Sequence, residues 1–259
     1  MPRFSANLSM LFCEHPFLDR FEHAAKAGFR AVEFQFPYAF PVSDIQSRLK
    51  AHGLDGVLHN LPAGDWQTGE RGIACHPARA NEFKAGVRQG IQYAKVLGVQ
   101  QLNCLVGQAP SGVAEQEVRR TLLDNLRYAA RALQENGLKL LIEPINTFDV
   151  PGFFINRTKQ ASDLLDELDA TNAYIQYDAY HAQRMEGELA ATLQTFLPRI
   201  AHIQVADNPG RHEPGSGEIN YAYLFTLLDR LGYDGWVGCE YHPATDTASG
   251  LSWRSRLAP

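Results

Sequence analysis

The strongest constraint on this chain's fold is an alternation repeated along its length. Short apolar runs of strand-like composition are separated by segments with helical periodicity. The runs are "FSANLSM" (4–10), "AVEFQF" (31–36), "DGVLHN" (55–60), "QQLNCLVG" (100–107), "LKLLIEPI" (138–145), "AYIQYDAYH" (173–181), "IAHIQVAD" (200–207) and "GWVGCEYHP" (235–243). Between them, Val118, Leu122, Leu126, Ala129 and Leu133 recur at spacings of three and four, as do Leu224, Phe225, Leu228 and Leu231, so each set forms one apolar face. Gly28, Gly53, Gly98, Gly137 and Gly232 stand where helices should stop ahead of the next strand.

Eight strand-then-helix units in 259 residues match a single (β/α)8 TIM barrel spanning 1–259. An open doubly wound sheet would also alternate, but no G-x-G-x-x-G follows the first strand, which disfavours its dinucleotide-binding form. One long connection, 61–81, follows the third strand on the side where barrel loops build sites.

Net charge is −5 and no basic block occurs, so neither a nucleic-acid backbone nor an anionic membrane is expected as partner. No run approaches the length of a membrane span, and the first residues lack the features of a signal peptide. Cys13, Cys75, Cys104 and Cys239 are scattered without C-x-x-C spacing, which reads as reduced thiols in a cytoplasmic protein. The number of copies in any oligomer is left open.

In a barrel, the C-terminal strand ends share one face. Glu143 ends the fifth run, Asp178 the sixth, Gln204 lies near the end of the seventh and Glu240 near the end of the eighth. On the same faces, two positions deeper, stand Leu141, Gln176, His202 and Gly238. A single acid at a strand end is ordinarily just solvated. Three carboxylates and an amide oxygen from four consecutive strands would instead converge, and the acids would repel unless a cation joined them. A hard divalent ion suits that oxygen-rich set, Mg²⁺ first and Mn²⁺ second, whereas a structural zinc would select other ligands. His181 and His59 sit near strand ends. Arg71 and Arg211, with His212, lie in connecting loops where they could meet an anionic substrate.

The runs "RFSANLSMLF", "VEFQFPY", "LHNLPAGDW", "GERGIAC", "NCLVG", "NLRYAA", "LIEPIN", "IQYDAYHAQRMEGEL", "HIQVADNPGRHEPGSGEINY" and "GWVGCEY" resemble hydroxypyruvate isomerases of the xylose isomerase-like barrel superfamily. The neighbouring 2-oxo-tetronate isomerase branch shares "ANLSM", "HAQ", "RHEP", "GEINY" and "GCEY". The resemblance covers nearly the whole chain. It implies metal ligands at Glu143, Asp178, Gln204 and Glu240, with Glu143 and Glu240 also serving as the proton donor/acceptor pair. It also implies a substrate-contacting histidine at His181, a small anionic 2-oxo acid as substrate, and no organic cofactor. Many superfamily members carry a histidine where Gln204 stands. The implied reaction interconverts hydroxypyruvate and tartronate semialdehyde through an enediolate. His59, Arg71, His181 and Arg211 are the candidate substrate contacts. Zinc-dependent endonucleases of the same superfamily would need more histidines and a basic face. A silent sugar-acid binding protein would not need both glutamates.

Overall fold

The computed structural model describes residues 2–257. Eight parallel strands close into a barrel in sequence order, with the last strand paired to the first. The strands are β1 (Arg3–Asn7), β2 (Ala31–Phe34), β3 (Asp55–Asn60), β4 (Gln101–Cys104), β5 (Lys139–Ile142), β6 (Ala173–Asp178), β7 (Ile200–Val205) and β8 (Trp236–Cys239). Each expected run thus holds a strand, with β1 starting one residue ahead of its run, and seven of the eight strands are shorter than their run. Parallel pairing across β5 stops at Ile142, so Glu143 and Pro144 already belong to the following loop. Proline has no N–H to continue a ladder. Glu240 likewise follows the last residue of β8.

The sixth run is the clearest departure. Its last three residues are not strand but the start of a helix over Ala179–Met185, and His181 lies inside that helix. The cause is local: the Asp178 carboxylate accepts a hydrogen bond from the Tyr180 backbone N–H at 2.8 Å and caps the helix. Arg184 is on the same helix, with its guanidinium against Tyr180 and Asp149.

Period-two alternation sorts the strand side chains. Val32, Leu102, Leu140, Ile175, Ile203 and Val237 join the core between sheet and helices. The helix over Glu115–Gln134 buries the five residues expected of it, each fully inaccessible. The five glycines at helix ends all have positive φ, for example +63° at Gly53 and +73° at Gly98. No atom lies within 4 Å of where a Cβ would stand at either residue, so backbone conformation alone selects glycine there. Among the described residues, no helix is long and apolar enough to cross a membrane.

Residues facing the barrel axis form two layers. At the N-terminal end Ala31, Val57, Leu58 and Leu141 make a small apolar plug. Above it the interior turns polar, and a carboxylate overlooked in the sequence sits at its centre. Glu33, from β2, is fully buried and accepts hydrogen bonds from Ser5 (2.8 Å), Asn7 (3.1 Å) and Gln204 (2.8 Å), while His202 Nε2 lies 2.8 Å away. Burial alone would push its pKa up, yet His202 and the donors from Gln204 and Ser5 hold it below the ordinary glutamate value. Gly238 makes this arrangement fit, since a Cβ there would stand 2.4 Å from both Glu33 carboxylate oxygens.

Candidate active site

The residues at the C-terminal mouth are built outward from that polar layer. Asn7 bridges downward to Glu33 and upward to Glu240, donating to Glu240 Oε1 at 3.0 Å, and Gln35 donates to the same oxygen at 3.0 Å. Asn103, from β4, donates to Glu143 Oε2 at 2.7 Å. Asp178 and Gln204 are paired neighbours on β6 and β7. The Gln204 amide nitrogen is held by Glu33, and its oxygen accepts from Gln176 at 2.6 Å, which leaves a second lone pair on that oxygen.

Among the described residues, Arg211 is the arginine that reaches the carboxylates of Asp178 and Glu240. Its Nη2 lies 2.8 Å from Glu240 Oε2, 3.4 Å from Asp178 Oδ2 and 3.5 Å from His181 Nε2. The residue adopts φ +56°, a strained value for a side chain of this size, and its carbonyl accepts from the His242 N–H at 2.8 Å. The loop around it is organised by Asp207, whose carboxylate accepts backbone N–H bonds from Asn208, Gly215 and Ile219.

Glu143, Asp178 and His181 form a buried group whose nearest potential ligand atoms all lie within 4.8 Å of one another. His181 Nε2 is 3.8 Å from Glu143 Oε1 and 3.6 Å from Asp178 Oδ2. Burial raises the Glu143 carboxyl well above the usual range, and the charges of Glu240 and Asp178 push it further up. Burial likewise raises Asp178, and it lifts Glu240 to about 7 against the pull of Arg211. His181 is held well below the ordinary histidine value by burial, then by Arg211 and Arg184, and is neutral. The pattern is a buried excess of negative charge with one guanidinium set against three carboxylates. A divalent cation fits such a donor set.

Two residues expected at the site lie elsewhere. The His59 ring stacks on Phe34 and meets Tyr38 edge-on, and its Nδ1 is 3.2 Å from both the Tyr38 hydroxyl and the Asn60 carbonyl. It therefore faces the sheet–helix core, the other side of β3 from the carboxylates. The Arg71 guanidinium carbon stands 3.9 Å from the Trp66 ring centroid, and the side chain donates to the carbonyls of Trp66 and Glu70, within the long loop.

The placement of His59 has a measurable consequence. Burial lowers its pKa to about 4, only partly offset by the Asn60 carbonyl. Below pH 6.5 the unfolded chain takes up a proton that the folded chain refuses until about pH 4, so this residue makes stability fall as pH falls through that window. At ~1.4 kcal/mol per pKa unit the loss approaches ~3 kcal/mol at the acid end. Urea unfolding of His59→Phe between pH 7 and 4 is expected to show a shallower decline than wild type. Parallel curves would place the acid sensitivity elsewhere.

The model of the family described as "Xylose isomerase-like TIM barrel" matches residues 21–257. The chain belongs to the xylose isomerase-like TIM barrel family. Within it, the chain is 54% identical to hydroxypyruvate isomerase of Escherichia coli K12, covering 98% of each chain. It is 47% identical to 2-oxo-tetronate isomerase of Cupriavidus necator, over 98% of this chain and 97% of that one. Relatives this similar along their whole length make the chain an isomerase of the family. A solved structure described as an AP endonuclease, family 2, from Brucella melitensis superposes with a TM-score of 0.96 at 44% identity, covering 99% of each chain.

Five polar residues at or beneath the mouth escaped the sequence reading: Glu33, Asn7, Gln35, Asn103 and Asn146. The signal for Glu33 was present, since an acid inside the apolar run "AVEFQF" is as anomalous as Glu143 at the end of its own. Single asparagines and glutamines carry no comparable signal.

Proposed function

We propose that the chain interconverts hydroxypyruvate and tartronate semialdehyde, with Glu143 and Glu240 as the proton-transferring pair. The observation that carries this reading is their shared environment. Two buried glutamates, Glu143 held by Asn103 and Glu240 held by Asn7 and Gln35, face a space that also receives the donors of Arg211 and His181. A pair of positioned carboxylates can take a proton from one carbon and return one to its neighbour.

In the forward direction one glutamate removes a proton from C3, the hydroxyl-bearing carbon, giving an enediolate. The other delivers a proton to C2, and the hydroxyl proton moves from O3 to O2, so atoms balance without a redox cofactor. Glu143, Asp178, Gln204 and Glu240 would hold a divalent ion, Mg²⁺ or alternatively Mn²⁺. When bound, that ion supplies Lewis-acid stabilisation of the enediolate oxygens. Arg211, whose guanidinium faces this space beside Glu240 and Asp178, would pair with the substrate carboxylate. His181 and Arg71 remain further candidates for substrate contact, Arg71 through movement of its loop. His59 does not, because its ring is turned into the core. The free thiols, of which Cys75, Cys104 and Cys239 are buried, favour a cytoplasmic location.

The neighbouring reading, a four-carbon 2-oxo-tetronate as substrate, rests on the 47% identical relative. The two substrates differ by one hydroxymethylene unit, which a pocket rejects strongly only if it is built to hydrogen-bond that hydroxyl. Side-by-side kcat/KM values with defined Mg²⁺ or Mn²⁺ test the assignment. Hydroxypyruvate is expected to win, and a preference for the four-carbon acid would transfer the chain to the other reading. Thorough chelation should abolish turnover, with Mg²⁺ or Mn²⁺ restoring it. Full activity after chelation would remove the ion from the proposal.

A further inference from the structure

The hydrogen bonds around Asn146 determine which nitrogen of His181 carries its proton. The Asn146 side-chain oxygen accepts from two backbone donors whose polarity is fixed, Phe148 N–H at 3.1 Å and Asp149 N–H at 2.8 Å. Its amide nitrogen lies 3.0 Å from Asp149 Oδ2, an acceptor. Rotating the amide by half a turn would set oxygen against carboxylate and NH₂ against N–H groups, so the orientation is determined by its partners. Asp149 is itself held by the Tyr180 hydroxyl, which donates to Oδ2 at 2.9 Å, and by Arg184.

The same amide nitrogen stands 2.6 Å from His181 Nδ1. Because it can only donate, Nδ1 must be the acceptor nitrogen, and the ring proton must sit on Nε2. Nε2 is the atom that faces Glu143 and Asp178. The nearby Arg211 Nη2 does not reverse this. It stands farther off, at 3.5 Å, and its two protons have closer acceptors in Glu240 and Asp178. A neutral imidazole has one acceptor nitrogen, and Asn146 occupies it.

We infer that Asn146 is a positioning residue that locks His181 in the Nε2–H form, so that His181 offers the carboxylate cluster a hydrogen-bond donor and no metal-ligating lone pair. Proximity alone makes His181 a third potential ligand beside Glu143 and Asp178. The proton on Nε2 removes it from that role and leaves the cation to oxygen ligands. Under the proposed isomerase reading, on which this part rests, the Nε2–H would donate to a substrate oxygen on which negative charge grows as the enediolate forms.

The test begins with the metal-free wild-type protein labelled with ¹⁵N-histidine. Long-range proton–nitrogen correlation should show His181 with an acceptor-type Nδ1 and a protonated Nε2 at neutral pH. A protonated Nδ1, alone or together with Nε2, overturns the inference. In Asn146→Ala the single-tautomer pattern should give way to a mixture, and kcat for hydroxypyruvate should fall about 10- to 100-fold. An unchanged pattern would remove Asn146 from the role. Mn²⁺ affinity measured by electron paramagnetic resonance should stay within about threefold of wild type in His181→Ala. A loss beyond about tenfold, the scale expected for a lost ligand or its orienting partner, would make His181 a ligand and overturn the donor role. A wild type inert toward hydroxypyruvate sinks the proposed function but leaves the spectroscopic result standing, so the two failures are distinguishable.

Discussion

Glu143→Gln and Glu240→Gln are each expected to lower kcat about a thousandfold without unfolding the protein. Glutamine preserves side-chain shape and one acceptor oxygen, so Asn103 can still donate at position 143, and Asn7 and Gln35 at position 240. The substitution removes the capacity to exchange a proton with carbon. At position 143 it also removes one of three buried like charges, so thermal stability should hold or rise there. At position 240 Arg211 loses its closest partner, and a modest loss of stability is expected instead. The measurements are turnover on hydroxypyruvate with saturating Mn²⁺ and unfolding of each variant in metal-free buffer. Near wild-type kcat in either variant would mean the acid–base pair is misassigned.

Glu33→Ala should be the most destabilising single change in the barrel interior, at about 3–5 kcal/mol, because several buried polar groups lose their partner together. His202 would lose its carboxylate partner, while Ser5, Asn7 and Gln204 would lose an acceptor each, in a region that is fully buried. Gly238→Ala is expected to cost about 1–3 kcal/mol in the wild-type background, because its methyl group enters the space of the carboxylate. In the Glu33→Ala background that penalty should largely vanish. Urea unfolding of the two single variants and the double variant forms a cycle that isolates the coupling. Additive effects would show that Gly238 does not make room for Glu33. A Glu33→Ala cost below about 1 kcal/mol would mean that the polar layer contributes little to stability.

The upper ring and the polar layer beneath it differ in how far the sequence reveals them. The upper ring, Glu143, Asp178, Gln204 and Glu240, is readable because each is a polar residue closing an apolar run, and parallel strands of a closed barrel bring such ends to one face. Seven of the eight strand ends read two to four residues too long, since features such as the carboxylate cap after β6 and the proline after β5 redirect the backbone where hydrophobicity continues. The lower layer was half visible. Gln176, His202 and Gly238 were placed beneath the ring, but the residue that joins the last two, Glu33, comes from β2, two strands around the barrel from β8 and distant in sequence. The histidines divide for a related reason. His59 and His181 look alike in sequence, yet one falls on the outward phase of its strand and the other on a helix turn created by Asp178.

By itself, then, the sequence determined the alternation, the eight-stranded closure and the acids at the mouth, because these depend on periodicity and on neighbours a few residues apart. The tertiary structure alone decided that Arg211 meets Glu240, that Glu33 fills the gap left by Gly238, and that Asn146 directs a proton to His181 Nε2. These contacts join residues 29 to 205 positions apart in the chain. Their geometry is set by strand register and loop conformation, and no local pattern of residues encodes either.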